Sequence, residues 1–413
     1  MAARTPRSEG FTLSFMTLSR RTFLGCVAAA PMASRLGAST TSSAPRVAVI
    51  GAGAFGGWTA LHLLRLGARV TLVDSWGPGN ARSSSGGETR VIRAIYGPDR
   101  VYVELVKRAY ELWSEVETPD DPLYVETGAL WMHRGDDAYV RSSLPILEEL
   151  GFPVDHLTLA ESRKRWPQIN FDGVKSVWLE RRAGALSARR ACGVVRDAFV
   201  KAGGTYRTAS IEDASQIEAD VHVFACGPWL GKLFPDVLGD AIRPTRQEVY
   251  YFGPPRGSDR YQPKQMPIWI DFGKRIVYGI PDTHGRGFKV ADDTRGAAID
   301  PTTATRTPTA AGITRARQLL AERFPELADA PLVSSEVCQY ENSPDGNLIL
   351  DRHPQKKNVW LLGGGSGHGF KLSPAVGELA AMAILRGNEV PAMFRLERLR
   401  KTEKPKTQFE SKS

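Results

Sequence analysis

Long apolar runs are missing from this chain of 413 residues: none reaches the ~20 residues that a bilayer-spanning helix needs. Cysteine is scarce as well, with four residues. If the first, Cys26, leaves with a cleaved N-terminal segment, Cys192, Cys226 and Cys338 remain, and an odd number leaves at least one thiol without a disulfide partner. Cys192 falls in a helical pattern and Cys226 at a strand end, so both read as small core residues. The chain also lacks a basic stripe with interleaved aromatics. Its net charge of +9 sits mostly in two tails, residues 1–44 and 395–413, at +4 each, which leaves the body at +1. Nucleic-acid binding is therefore not expected. No internal repeat is visible.

What is present describes an ordinary globular protein, with 42% hydrophobic and 24% charged residues and room for roughly two to three domains. At the N-terminus Arg20-Arg21 precedes Phe23-Leu24 and the short apolar run from Cys26 to Ala33. This is the pattern of a twin-arginine export signal, which predicts export to a bacterial periplasm or beyond by machinery that carries folded cargo.

Residues 46–74 join four signals. Val47, Val49 and Ile50 predict a buried strand; Gly51, Gly53 and Gly56 form G-x-G-x-x-G at its end; a helical apolar pattern comes next; a second strand from Arg69 closes on Asp74. In a dinucleotide fold the first glycine turns the chain, the second lets backbone approach a pyrophosphate, and the third packs helix on strand. Asp74 would accept from the adenosine ribose hydroxyls. The motif alone does not separate FAD from NAD, but the segment after Asp74 favours FAD. A Gly/Ser-rich loop holding Arg82 and Ser83 leads to Arg90 and Arg93, where a second nicotinamide half would need a polar helix. Residues 187–202 predict a helix, a strand pair is expected around Tyr206 and Ile211, and Val221–Gly227 is an apolar strand ending in glycine. Short alternating strands between 245 and 295 predict an antiparallel sheet inserted between dinucleotide-binding pieces. A surface loop over 299–313 is expected to lead into a helix over 314–323.

Near the C-terminus Cys338 stands 33 residues before Lys371, which ends a loop with five glycines that includes Gly365, Gly367, His368 and Gly369. Ser373 and Pro374 predict an N-cap and first helical residue just after it. Free N–H groups at the positive end of a helix would seat an electron-rich ring or anion, with a thiol in reach.

Taken together these residues resemble the monomeric sarcosine oxidase and N-methyltryptophan oxidase family, within the D-amino-acid-oxidase-like flavoproteins, over about residues 46–390. The family's GDTRIIR-type segment is similar to GETRVIR, its YGFP…LK segment to Tyr278–Lys289, and its C-x-Y-x-x-x-P-D block and S-G-H-G-F-K loop to Cys338–Asp345 and Ser366–Lys371. The resemblance implies an α/β fold, a Rossmann-type FAD-binding domain with an inserted, mainly antiparallel β-sheet substrate domain. The corresponding division is residues 1–44 as signal and linker, 45–120, 186–235 and 336–394 as FAD-binding pieces, 121–185 and 236–335 as substrate-domain pieces, and 395–413 as a basic tail. It further implies FAD held covalently by Cys338, a substrate carboxylate held by Lys371 with Arg93, dioxygen activated by Lys289, and Tyr278 on the pocket wall. Gly51, Gly53, Gly56, Asp74, Arg82, Ser83, Arg90, Ile211, Gly365, Gly367, His368, Gly369 and Lys371 are expected around the cofactor. The implied partners are a small amino-acid-like substrate and dioxygen, and the expected state is a monomer. Two departures stand out: Ser85 and Gly86 replace paired histidines, and Asp293 occupies the place of a pocket histidine. The expected activity is oxidation of a secondary amino acid to an imine with release of hydrogen peroxide. The rival readings are a dehydrogenase that passes electrons to a quinone or protein partner, and a non-catalytic flavin-binding module.

Overall fold

The strand Arg46–Ile50 sends alternate side chains into two separate cores. Val47 and Val49 join one, and Ala48 and Ile50 the other. A strand buried on both faces is what its unbroken apolar run requires. It lies in a six-stranded sheet with the order 349–352, 359–363, 221–224, 46–50, 69–74, 205–208, parallel except for the first pair. The computed structural model describes residues 44–117, 120–401, 407 and 409. The twin-arginine pattern lies outside the described residues.

The helix Ala54–Arg65 packs on this sheet and against the helix Ser373–Arg386. Gly377 makes that approach possible, because a Cβ there would stand 2.8 Å from the backbone of Trp58 and Thr59. The contact ties the two ends of the sequence into one layer.

The second sheet has eight strands in the order 332–342, 243–252, 288–292, 276–280, 268–272, 129–133, 176–180, 154–157. The segment 245–295 supplies antiparallel neighbours, as its alternation predicts, while 268–272 pairs parallel with 129–133. The ladder between 243–252 and 332–342 is long, and Gln247 stands opposite Cys338 in it. Strand Leu332–Asn342 thus runs without a break across position 335/336, carrying Cys338 from the large sheet toward the glycine loop. A third sheet joins 89–92, 184–187 and 124–126.

Three local expectations need correction. Ile211 is not in a strand; Tyr206 lies in Thr205–Thr208, and the chain leaves the sheet before Ile211. The helix expected over 314–323 begins at Ala310, because the Thr309 side chain accepts from Gly312 N–H and caps it earlier. Ser373 is not an N-cap. A 3-10 turn, Phe370–Leu372, feeds directly into the helix, so Ser373 already has helical backbone and its buried hydroxyl has no partner among the described residues.

Candidate active site

Between the two large sheets lies a cleft enclosing about 2200 Å³ of empty space, its open mouth included. Its lining runs from Gly51, Gly53 and Asp74 past Cys338 to Arg93 and Lys371, so one cleft joins the glycine turn to the late loop.

The glycine turn divides its labour as the spacing suggests. Gly51 has φ +103°, and a Cβ on it would strike the Ala225 carbonyl oxygen at 2.3 Å. At Gly56 a Cβ would meet Gly51 O at 1.8 Å, so this residue packs helix on strand and does not line the cleft. Gly53 faces the cleft, with only the Ser85 hydroxyl within 4 Å of a built Cβ. Asp74 also lines it, at the end of the neighbouring strand, and accepts from the N–H groups of Ala52, Trp76 and Gly77 at 2.8 Å. Its carboxylate therefore braces the turn as well as facing the cleft. Ser83, Ile211 and Arg90 line the cleft. Arg82 does not; it is exposed and reaches the Thr302 carbonyl and the face of Trp76.

Cys338 and Arg90 meet in the same wall. Arg90 Nη2 lies 3.5 Å from Cys338 Sγ and 2.7 Å from the Ser84 carbonyl. Cys192 is a buried core thiol, raised by burial to about 12, as expected. Cys226 is not, being half-buried at the strand end and part of the cleft lining, though burial raises it too. The glycine loop is less open than its composition suggests. Gly365 N–H is taken by the Glu341 carboxyl and Gly369 N–H by Gly365 O. Gly367 has φ +83°, and the Tyr340 ring stands 2.6 Å from a Cβ built there. His368 is a support: its ring nitrogens engage Tyr96 OH at 3.1 Å and Gly346 O at 2.9 Å.

Two basic side chains sit buried in the cleft wall. Lys371 Nζ donates to His368 O at 2.9 Å, and burial, then the nearby Arg93, hold its pKa well below the usual lysine range. Arg93 is held among the rings of Tyr96, Trp131 and Phe409, at 4.7–5.3 Å, and donates to the Ile95 carbonyl. Tyr278 lines the cleft on the facing sheet. Asp293, also in the lining, accepts from Tyr340 OH at 2.8 Å, and burial raises it to about 6. Lys289 is 1% exposed and is not among the lining residues. Its Nζ donates to Thr89 O at 2.9 Å, and burial, followed by repulsion from Arg90, lowers it to about 7.

Three further residues belong to the site without having been singled out from sequence. Trp131 and Phe409 wall the Arg93 side, and nothing in their local sequence marks them. Glu341, three residues after Cys338, is not marked either: its strand holds a second acid, Glu336, and exposed residues at 333 and 334.

The residues present suit FAD. Gly51 and Gly53 bring bare backbone to the cleft, and two buried oxygens in the cleft wall, Ser84 Oγ and Glu341 Oε2, have no partner among the described residues. Residues 46–383 match the family described as FAD dependent oxidoreductase. The chain is 31% identical to a monomeric sarcosine oxidase of Arthrobacter sp. (strain TE1826) over 363 residues, 83% of this chain and 92% of the relative. It is 27% identical to the N-methyl-L-tryptophan oxidase of Salmonella arizonae, over 81% of this chain and 92% of that one. In fold it is similar to the L-proline dehydrogenase of P. horikoshii, with a TM-score of 0.73 and 21% identity, covering 87% of this chain and 99% of that one. A match over most of the sequence, joined to a glycine turn that opens on a deep cleft, makes this chain a member of the FAD-dependent oxidoreductase family.

Proposed function

We propose that the enzyme oxidises the C–N bond of a secondary amino acid, N-alkyl or cyclic, and passes the electrons to dioxygen. The observation that carries this reading is the pair of buried basic side chains, Arg93 and Lys371, in one cleft with the glycine cradle; an incoming carboxylate favours the charged form of both. A guanidinium and an ammonium together hold a carboxylate firmly, which fixes the adjacent C–H and nitrogen. The substrate gives up two electrons and two hydrogens and becomes an imine, which water hydrolyses; dioxygen takes up the two electrons and two protons as hydrogen peroxide. Bound FAD supplies the two-electron relay between these half-reactions. Lys289 offers a buried positive charge for the oxygen half-reaction, where a fixed cation in a dry site lowers the cost of developing negative charge. Cys338, in the cleft wall beside Arg90, is the residue that would bond the cofactor covalently.

A peroxide-release screen over sarcosine, other N-methyl amino acids, proline, pipecolate and glycated amines tests the reading; release with at least one is expected, and silence with all would remove it. A dehydrogenase reading is favoured by one observation: Lys289 does not line the cleft, and its Nζ is taken by the Thr89 carbonyl at 2.9 Å, with burial lowering its pKa to about 7. Reoxidation by dissolved oxygen no faster than that of free flavin would support it. We further propose that the protein is exported as a folded monomer. Arg20→Lys together with Arg21→Lys should retain it in the cytoplasm, and unchanged export would refute the signal.

A further inference from the structure

Glu341 lies in strand Leu332–Asn342 and is 5% exposed. One carboxyl oxygen, Oε1, accepts from Gly365 N–H at 3.1 Å; the other, Oε2, is buried without a hydrogen-bond partner among the described residues. A Cβ built on Gly227 or on Gly363 would stand 3.5 Å away, and both positions are glycine. Among the described residues no lysine or arginine pairs with this carboxyl.

Its place in the cleft is set by its neighbours. Glu341, Gly227 and Gly365 line the same cleft as Gly51 and Gly53. The turn that holds Gly227 begins at Ala225, whose oxygen crowds Gly51 and whose methyl group lies 3.2 Å from a Cβ built on Gly56. Glu341 therefore faces the region where the glycine turn admits the cofactor's sugar and phosphate chain.

An ionised carboxylate buried there without a cation, beside a diphosphate, would be strongly disfavoured. A neutral carboxylic acid has an O–H to donate, and a diphosphate or ribityl oxygen is an acceptor. We infer that Glu341 is a cofactor-binding residue that, as the neutral acid, donates a hydrogen bond from Oε2 to an oxygen of the ribityl–diphosphate chain of FAD. Burial alone points the same way, raising this carboxyl to about 7, with the Gly365 N–H opposing. The other titratable group whose charge couples to it is the Cys226 thiol, which burial keeps neutral. Opposite it on strand 243–252 stands Pro244, and Arg243 beyond is exposed. The inference rests on family membership and not on the proposed substrate, so a failed substrate screen leaves it standing.

The test measures FAD affinity of refolded apoprotein carrying Cys338→Ser, by quenching of FAD fluorescence at pH 6 and pH 8.5. With Glu341 present, affinity should weaken about 10-fold between the two pH values, the scale of one buried hydrogen bond lost together with a buried charge gained. E341Q, a neutral donor of the same shape, should bind within about 3-fold of the pH 6 value at both pH values, whereas E341A should be about 10-fold weaker at both. Near-ultraviolet circular dichroism of each apoprotein shows that the variants fold alike. Affinity that strengthens toward pH 8.5, with E341Q the weak binder, would overturn the inference in favour of an ionised acceptor. Equal affinities for all three chains would overturn it outright.

Discussion

Replacing Lys289 with methionine separates two effects of one buried charge. The side chain is 1% exposed, and burial lowers its pKa from 10.5 to about 7. At about 1.4 kcal/mol per unit, the charged form costs the folded protein on the order of a few kcal/mol below pH 7. The folded-state pKa lies below the unfolded value, so between about 7 and 10.5 the unfolded chain keeps a proton that the folded chain has released. Stability must therefore rise with pH across that window and be lowest below it. Methionine fills a similar length and removes the titration. The Thr89 carbonyl keeps a donor, since Arg90 Nη1 also reaches it at 2.7 Å. Lys289→Met should then melt on the order of 5 °C above the parent protein at pH 6, with the gap closing as pH approaches 10. Stopped-flow measurements should show the opposite sign for function. The oxygen half-reaction should slow by about 100-fold or more, as when one fixed electrostatic partner is removed, while the substrate half-reaction changes far less. A variant that is less stable at every pH, by a constant amount, would show that Lys289 is a neutral structural donor. An unchanged oxygen rate would refute its cationic role.

Cys338→Ala should release its flavin on acid precipitation, leaving a coloured supernatant, whereas the parent protein should carry the colour into the pellet. Lys371→Met should raise KM for the amino acid about 100-fold and lower kcat less, because the carboxylate loses one of its two cations before and during reaction. Gly56→Ala places a methyl group 1.8 Å from Gly51 O, so the purified protein should hold little FAD and melt several degrees lower. Phe409→Ala removes one of the rings around Arg93 and should raise KM about 3- to 10-fold at an unchanged melting temperature; an unchanged KM would show that the ring does not help to position Arg93.

How far the sequence could be read depended on how local each signal was. The glycine turn, the strand before it and Asp74 interact within 30 residues, so their spacing carries the geometry, and the structure places Gly51, Gly53 and Asp74 at one end of a cleft. Cys338 and Lys371 were legible as a pair only through the resemblance, because they reach the cleft from different sheets: Cys338 on the edge strand of the eight-stranded sheet, Lys371 in the loop after strand 359–363 of the six-stranded one. Burial was not legible. The alternation of Phe288–Asp292 marks a strand but not which face is sealed, so nothing in it says that Lys289 is enclosed behind Thr89. Ser373 misled because an N-cap signal assumes that the helix begins there, whereas the preceding 3-10 turn had already bent the chain into helical form. Glu341 shows the most useful kind of gap. Its strand holds two acids, and nothing in the sequence separates Glu341 from the half-buried Glu336. Once the fold buries it with no cation beside it among the described residues it becomes a local conflict, and such conflicts are tolerated where a ligand resolves them. The structure sharpens that conflict into a specific atom, Oε2, walled by glycines and without a protein partner among the described residues. A sequence can list its polar groups, but only the fold can say which of them is out of place, which way it points and therefore what must come to meet it.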